Sequence, residues 1–371
     1  MMFARRGVGS CFALLATSGS VWFSMVACSV AASGAAVLED LGKGVVMKSV
    51  ATKRAEFKEP VAVFGLAFSP DGTKVATSSP YSEEVHVWSW KGHPAVLQSL
   101  DQKDDPFATG GGGQANGLRF SPDGSILVSA HIGSGEHYEI LRAWNSATGT
   151  VVGHITDRWG NMQEGLAFSP DGRLLVRSQP GGRPKGAAPD VMLDTFIVHD
   201  TKTWEPLWAL KTEPVAPTAL AMSNDGHYVA LSGWERREGD GAHYKVLVID
   251  LLERRVKKSV EIPSDLMDLI AWSPDGQRIV VAGGTVVAVD FSSGKVSEYA
   301  SHPALPVALM YTRDGKRLLI AWSDGVEIWD AGHTKLAQRI PGRLVQGAAM
   351  SADGRYLAFA QDTQVGIWEV R

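Results

Sequence analysis

The sequence predicts an all-β fold of seven units, each with four antiparallel strands. Three observations carry this. A turn phrase recurs seven times, apolar runs of strand length flank each copy, and further such runs follow before the next copy.

The phrase is FSPDG at 68–72, 120–124 and 168–172, then MSNDG at 222–226, WSPDG at 272–276, YTRDG at 311–315 and MSADG at 350–354. Its Asp-Gly pairs begin at Asp71, Asp123, Asp171, Asp225, Asp275, Asp314 and Asp353, spaced 39 to 54 residues apart. A recurring internal period of this size marks a repeat architecture.

The first two strands of each unit are runs such as GLAFS and TKVATSS on either side of the turn. Asp bonds its own backbone there, and Gly accepts a positive φ, so the pair makes a hairpin. The third strand ends in an aliphatic or Trp followed by a polar residue, as in VHVWS, LRAWN, FIVHD, VLVID, VEIWD and VGIWE. The fourth is VLQSL, PLWAL, VKKSV or KLAQRI. A single sheet of this kind cannot bury both faces, whereas stacked neighbours can. Seven such sheets predict a seven-bladed β-propeller.

The SPDG turns and the IWD at Ile328–Asp330 resemble WD40-type propeller repeats over about residues 45–371. That resemblance implies a Gly-His pair about 12 residues ahead of each turn Asp, feeding an Asp–His–Ser–Trp hydrogen-bond network. Only His302 stands at that position; elsewhere it holds Glu59, Gly111, Trp159, Glu213, Pro263 and Pro341. The chain reads as a degenerate, exported bacterial member, with the network mostly missing and apolar packing taking its place. TolB-like and lactonase-like propellers share the SPDG turn.

The seventh unit ends at Arg371 after QVGIWEVR, its third strand, and a three-stranded blade would leave an open edge. The expected partner is VMKSV (Val46–Val50), which closely matches VKKSV (Val256–Val260) of the fourth unit. An N-terminal strand is thus expected to complete the last blade and close the ring. On this reading the chain does not stop short.

Residues 1–35 read as a signal peptide or lipoprotein leader, with Arg5 and Arg6 followed by an apolar and small-residue run. Residues 36–44 are a linker, and 45–371 form the propeller. MVAC at Met25–Cys28 resembles a bacterial lipobox, which makes Cys28 a lipidation candidate and allows a membrane tether. Both cysteines, Cys11 and Cys28, lie in the leader, so the body is built without disulfides. The expected location is the periplasm, or a membrane anchor facing the extracytoplasmic side.

A formal charge of −4 gives no basic face for nucleic acid. TGGGGQANG at 109–117 fits G-x-G-x-x-A, but a strand follows it rather than the helix that a dinucleotide needs. His131 and His137 lack a third nearby ligand, and DQKDD at 101–105 lacks the Gly and distal Glu of a calcium loop. With no G-x-S-x-G and no Cys in the body, neither a catalytic residue, a metal nor a cofactor is assigned.

The informative feature is asymmetry. Connections between second and third strands are tight in the last three units (283–284, 323–325, 361–364). They are long in the first four (78–84, 131–139, 179–190, 233–244), and the long segments 101–117 and 157–164 open on the same face. Loops on one face of a repeat array are where binding concentrates. The candidate binding residues are Tyr81, His131, Tyr138, Trp159, Arg183, Lys185, Trp234, Arg236 and Arg237, because exposed aromatics and Arg supply hot-spot chemistry. The expectation is a non-enzymatic scaffold binding a protein or peptide on the loop-rich face of blades 1–4. The rival is a lactonase-like hydrolase acting at the central channel. A quinone-cofactor dehydrogenase fits less well, since those propellers usually have eight blades.

Overall fold

The computed structural model describes residues 50–79, 82, 84–100, 114–132, 138–157, 165–179, 196–212, 216–237, 241–263, 269–332, 335–343 and 345–370. These belong to one compact unit, Met47–Arg371. The leader, the linker up to Gly44 and Cys28 lie outside the described residues.

The chain opens with β1 (Ala51–Lys58). Blade 1 follows as β2 (Gly65–Phe68), β3 (Lys74–Ser78), β4 (Val85–Ser89) and β5 (Ala95–Leu100). Blade 2 is β6 (Gln114–Phe120), β7 (Ile126–Ile132), β8 (Tyr138–Asn145) and β9 (Val151–Asp157). Blade 3 is β10 (Gly165–Phe168), β11 (Leu174–Ser178), β12 (Phe196–Asp200) and β13 (Pro206–Leu210). Blade 4 is β14 (Ala216–Met222), β15 (Tyr228–Arg237), β16 (Gly241–Asp250) and β17 (Arg255–Ile262). Blade 5 is β18 (Leu269–Trp272), β19 (Arg278–Ala282), β20 (Thr285–Asp290) and β21 (Val296–Ser301). Blade 6 is β22 (Pro306–Tyr311), β23 (Arg317–Trp322), β24 (Gly325–Asp330) and β25 (Lys335–Pro341). β26 (Val345–Met350), β27 (Tyr356–Gln361) and β28 (Gln364–Val370) form blade 7 with β1. The fold is an all-β, seven-bladed propeller of four-stranded antiparallel sheets, with no helix among the described residues.

The recurring turn is built from local bonds. In blade 1 the Ser69 hydroxyl donates to Asp71 Oδ1 at 2.5 Å and accepts the Lys74 amide at 2.9 Å. Asp71 Oδ1 also accepts the Thr73 amide, at 3.0 Å. Gly72 N–H closes the turn on Ser69 O at φ 64°, a left-handed conformation that favours Gly. The Ser/Thr-to-Asp bond recurs in every blade, down to Ser351 and Asp353. Successive turns also stack: a Cβ on Gly226 would stand 2.9 Å from Pro170 Cδ of the previous blade. A second device, not anticipated from sequence, closes the hairpins between third and fourth strands. There Asn145, Asp200, Asp250 and Asp290 accept backbone amides two or three residues ahead.

Burial follows position in the blade. The middle strands β11 and β12 are buried along nearly their whole length, because both faces meet neighbouring blades. The outer strand β17 alternates between exposed and covered residues, as a half-exposed strand does. The core is seven apolar clusters, each shared by two consecutive blades. One of them joins Phe68 and Val75 of blade 1 to Ala358 and Ile367 of blade 7. The inner strands likewise neighbour one another in sequence, with β26 returning to β2.

The strand lying on β28 is Ala51–Lys58, not Val46–Val50. It pairs from Ala51↔Val370 to Lys58↔Gln364, with a register shift between Lys53 and Ala55. Val50 stands just ahead of it, and Val46–Ser49 lie outside the described residues. Two backbone bonds set this register: Glu59 N–H to Thr363 O at 2.8 Å and Val63 N–H to Asp362 O at 2.9 Å.

Candidate functional site

The ends of the second and third strands opposite the Asp-Gly turns make one face of each blade. In blades 5 to 7 these hairpins are two-residue turns, 283–284, 323–324 and 362–363. Blade 4 differs. The stretch expected as a loop over 233–244 is an extended ribbon, in which β15 and β16 stay paired through Trp234↔Tyr244, Glu235↔His243, Arg236↔Ala242 and Arg237↔Gly241. The physical reason is local. Tyr244 packs on the apolar cluster shared with blade 5, and Lys245 Nζ pairs with the buried Glu235 Oε1 at 2.7 Å, which carries the ladder on past Trp234.

Trp234 is 39% exposed, on the projecting ribbon. Arg236 and Arg237 follow it on β15, His131 lies near the end of β7, and Tyr138 begins β8. These four are placed by their backbone. Tyr81, Trp159, Arg183 and Lys185 lie outside the described residues, as does most of 101–117, 157–164 and 179–190. Among the described residues, no group of three His, Cys, Asp or Glu is arranged to hold a metal.

Close to this face, blade 1 carries a buried polar hub that the sequence reading did not anticipate. Glu59 stands where the WD40 pattern has His. It is 4% exposed and accepts hydrogen bonds from Thr77 Oγ1 and the Trp88 indole. His86 Nδ1 lies 2.7 Å from its other carboxylate oxygen, and His86 Nε2 lies 3.2 Å from Glu84. Trp88 stacks on Phe57 at 4.3 Å. Burial alone would raise the Glu59 pKa, but the bonds from His86, Thr77 and Trp88 outweigh it and hold the carboxylate below its ordinary range. The Glu59 bond raises the His86 pKa against its partial burial.

Other blades keep fragments of such a network. In blade 2 the Trp144 indole donates to Ser129 Oγ at 3.1 Å. In blade 6 Glu327 accepts both the Trp322 and Trp329 indoles, at 2.9 and 3.0 Å, and His302 stacks on Trp322 at 4.8 Å. In blade 7 Trp368 Nε1 is buried with no partner among the described residues. Blade 3 substitutes a cationic set. Arg177 Nε donates to His199 Nε2 at 3.1 Å, Arg177 Nη1 donates to Gln179, and His199 Nδ1 faces Trp204 O at 2.9 Å. Burial, opposed by the Trp204 bond and aided by the Arg177 charge, pushes the His199 pKa down to about 4. The ring is therefore neutral, with its proton on Nδ1. In blade 1 the sequence signal for the hub is Glu59, 12 residues before the turn Asp71, read together with Thr77, six residues after it.

The inner strands enclose a central channel of about 650 Å³. Its lining is mixed: Phe64 and Met310 are half-buried there, Leu66, Leu118 and Leu220 border it but are buried between blades, and Arg119 of β6 lines it.

Residues 51–89 match the family described as WD domain, G-beta repeat. That span is β1 through β4, the outer strand of one blade and three strands of the next. No curated protein matches the chain. Among solved structures, Kuenenia stuttgartiensis hydrazine synthase superposes with a TM-score of 0.67 at 18% identity, covering 84% of this chain and 96% of that chain. At that identity the likeness is one of fold alone. Matching solved chains number 1455, so the architecture is widespread and does not by itself select a function.

Proposed function

We propose that this WD40-like seven-bladed propeller is an exported, non-enzymatic scaffold that captures a protein or peptide through the loop-rich face of blades 1–4. WD40 propellers generally mediate protein–protein interaction, and residues 51–89 carry that repeat. The observation that carries the choice of face is the blade 4 ribbon: its strands stay paired out to Arg237↔Gly241 and carry Trp234, 39% exposed, with Arg236 and Arg237 following it in sequence. A large aromatic on a rigid ribbon loses little conformational entropy on binding and supports a central anchor. Export rests on the leader at 1–35.

The test uses Trp234→Ala and a variant in which a two-residue turn joins Glu235 to His243. Both keep the Glu235–Lys245 pair and should melt like the parent. Each should lose capture of the partner from the extracytoplasmic fraction of the source cells; unchanged capture refutes the face. Fusing residues 1–35 to a reporter active only outside the cytoplasm tests export separately, and an inactive reporter refutes it.

A further inference from the structure

Four blades carry a Trp near the end of the third strand, at Trp88, Trp144, Trp329 and Trp368. In three of them the chain itself supplies an acceptor for the indole. Glu59 accepts from Trp88, Ser129 from Trp144 at 3.1 Å, and Glu327 from Trp329 at 3.0 Å. Blade 7 differs: Trp368 Nε1 is buried and has no partner among the described residues. The register explains why. The cross-strand pair that is Thr77↔His86 in blade 1, Ser129↔Arg142 in blade 2 and Ile320↔Glu327 in blade 6 is Phe359↔Gly366 in blade 7. Phe359 stacks on Trp368 at 5.9 Å but offers no acceptor, and Gly366 stands where blade 6 has its glutamate. Next to Gly366, between blades 6 and 7, is a cavity of about 190 Å³. Trp368, Phe359, Gln361, Gln364, Lys53 and Glu56 line it. A Cβ on Gly366 would stand 3.2 Å from Trp368 Nε1 and 3.9 Å from Lys53 Cε. The indole N–H and the Lys53 stem thus meet where a side chain would otherwise be. A buried N–H left without an acceptor is costly.

We propose that this cavity binds a carboxylate from outside the chain, which accepts the Trp368 indole N–H and pairs with the Lys53 ammonium. Two blades of the same protein already place a carboxylate on the matching indole, through Glu59 and Glu327. The fold therefore builds this geometry elsewhere, and blade 7 keeps the donor without the acid. The Gln361 and Gln364 amides bring further donors to the cavity. Lys53 is exposed and holds Glu56 at 2.7 Å, a surface ion pair that exchanges at little cost for another carboxylate. Its stem swings aside to open the indole N–H. A cavity of this size takes an acid of a few carbons or the side chain of a Glu, and both present the same chemistry. The site lies between blades 6 and 7 and does not depend on the docking face proposed for blades 1–4.

Calorimetry and the indole N–H resonances of the purified protein test the site, with propionate and the neutral propionamide as probes. Comparison with Trp368→Phe assigns the Trp368 resonance. Propionate should move that resonance saturably, and propionamide should bind roughly tenfold more weakly or worse. Trp368→Phe keeps an aromatic ring against Phe359 and removes a buried donor that lacks an acceptor. It should melt near the parent temperature and lose propionate binding roughly tenfold or more. Glu56→Gln releases Lys53 and should tighten binding severalfold. Gly366→Glu installs the carboxylate of blade 6. It should raise the melting temperature, move the Trp368 resonance without ligand and abolish propionate binding. Acetyl-Gly-Glu-Gly-amide tells the two sources apart: binding tighter than propionate marks a side chain of a partner, and weaker binding marks a free acid. A Trp368 resonance that propionate leaves in place, equal propionate binding by Trp368→Phe, or equal binding of propionate and propionamide overturns the proposal.

Discussion

His86 Nδ1 stands 2.7 Å from Glu59 Oε2, joining the third strand of blade 1 to the segment that leads into it from blade 7. The same carboxylate holds the Thr77 hydroxyl and the Trp88 indole, so one side chain satisfies three donors. Glu59→Ala should therefore destabilise the protein by about 2–4 kcal/mol, because three polar groups lose their acceptor together. Chemical denaturation checks this; a loss within the error of the melt would mean water replaces the carboxylate.

The pair also sets a pH window. The Glu59 pKa is lowered from 4.5, so its contribution is present above that value and is lost as pH falls through the folded pKa. The His86 pKa is raised from 6.5, so its contribution is complete below that value and is lost as pH rises through the folded pKa. The stability gap between the parent and His86→Gln should be widest between the reference values of 4.5 and 6.5, and should narrow on either side. Paired melts across pH 3 to 9 read this directly; a flat gap contradicts it.

His199 behaves in the opposite sense. Its folded pKa of about 4 lies below the ordinary 6.5, so the native state excludes a proton that the unfolded chain accepts. That stability is present above 6.5 and is lost on the way down to the folded value, a change of roughly 3 kcal/mol. His199→Gln should flatten the acid slope of stability in that range. Imidazole NMR shifts should also show His199 neutral at pH 5.5; a charged ring there rules the prediction out.

Removing β1 should open the edge of β28. A chain beginning at Glu59 loses the buried Ala51 and Phe57 and leaves a row of unpaired backbone groups along β28. The loss of Phe57 burial alone is worth about 3–5 kcal/mol. Melting and light scattering should show a large drop in stability or aggregation; a melt matching the parent refutes the role of this strand.

Gly226 holds φ at 72°, with no room for a Cβ against Pro170. Gly226→Ala should cost about 1–3 kcal/mol. Gly276, at φ 70° with open space around it, should cost less when changed to Ala. Denaturation midpoints of the two variants measure the difference, and equal losses would show that stacking of the turns adds nothing.

The seven Asp-Gly turns were legible because everything that makes them lies within six residues, from Ser69 to Lys74 in the first. The outer strand of the last blade was misplaced by a few residues. VMKSV matches VKKSV in pattern, but the bonds of Glu59 and Val63 to the 362–363 turn select the charged stretch ATKRAEFK instead. An outer strand buries few side chains, so its composition carries little signal. The ribbon at 233–244 was read as a loop because what pairs it, the packing of Tyr244 on the cluster shared with blade 5 and the Glu235–Lys245 ion pair, is not written in an apolar alternation.

By itself the sequence determined the repeat, the count of blades and the turn chemistry, since each rests on neighbours a few residues apart. Only the tertiary structure decided that Glu59 replaces a histidine as the hub for Thr77, His86 and Trp88, and that Arg119 lines the central channel. Both depend on the ring bringing inner strands and blade junctions together, and local spacing does not encode that proximity.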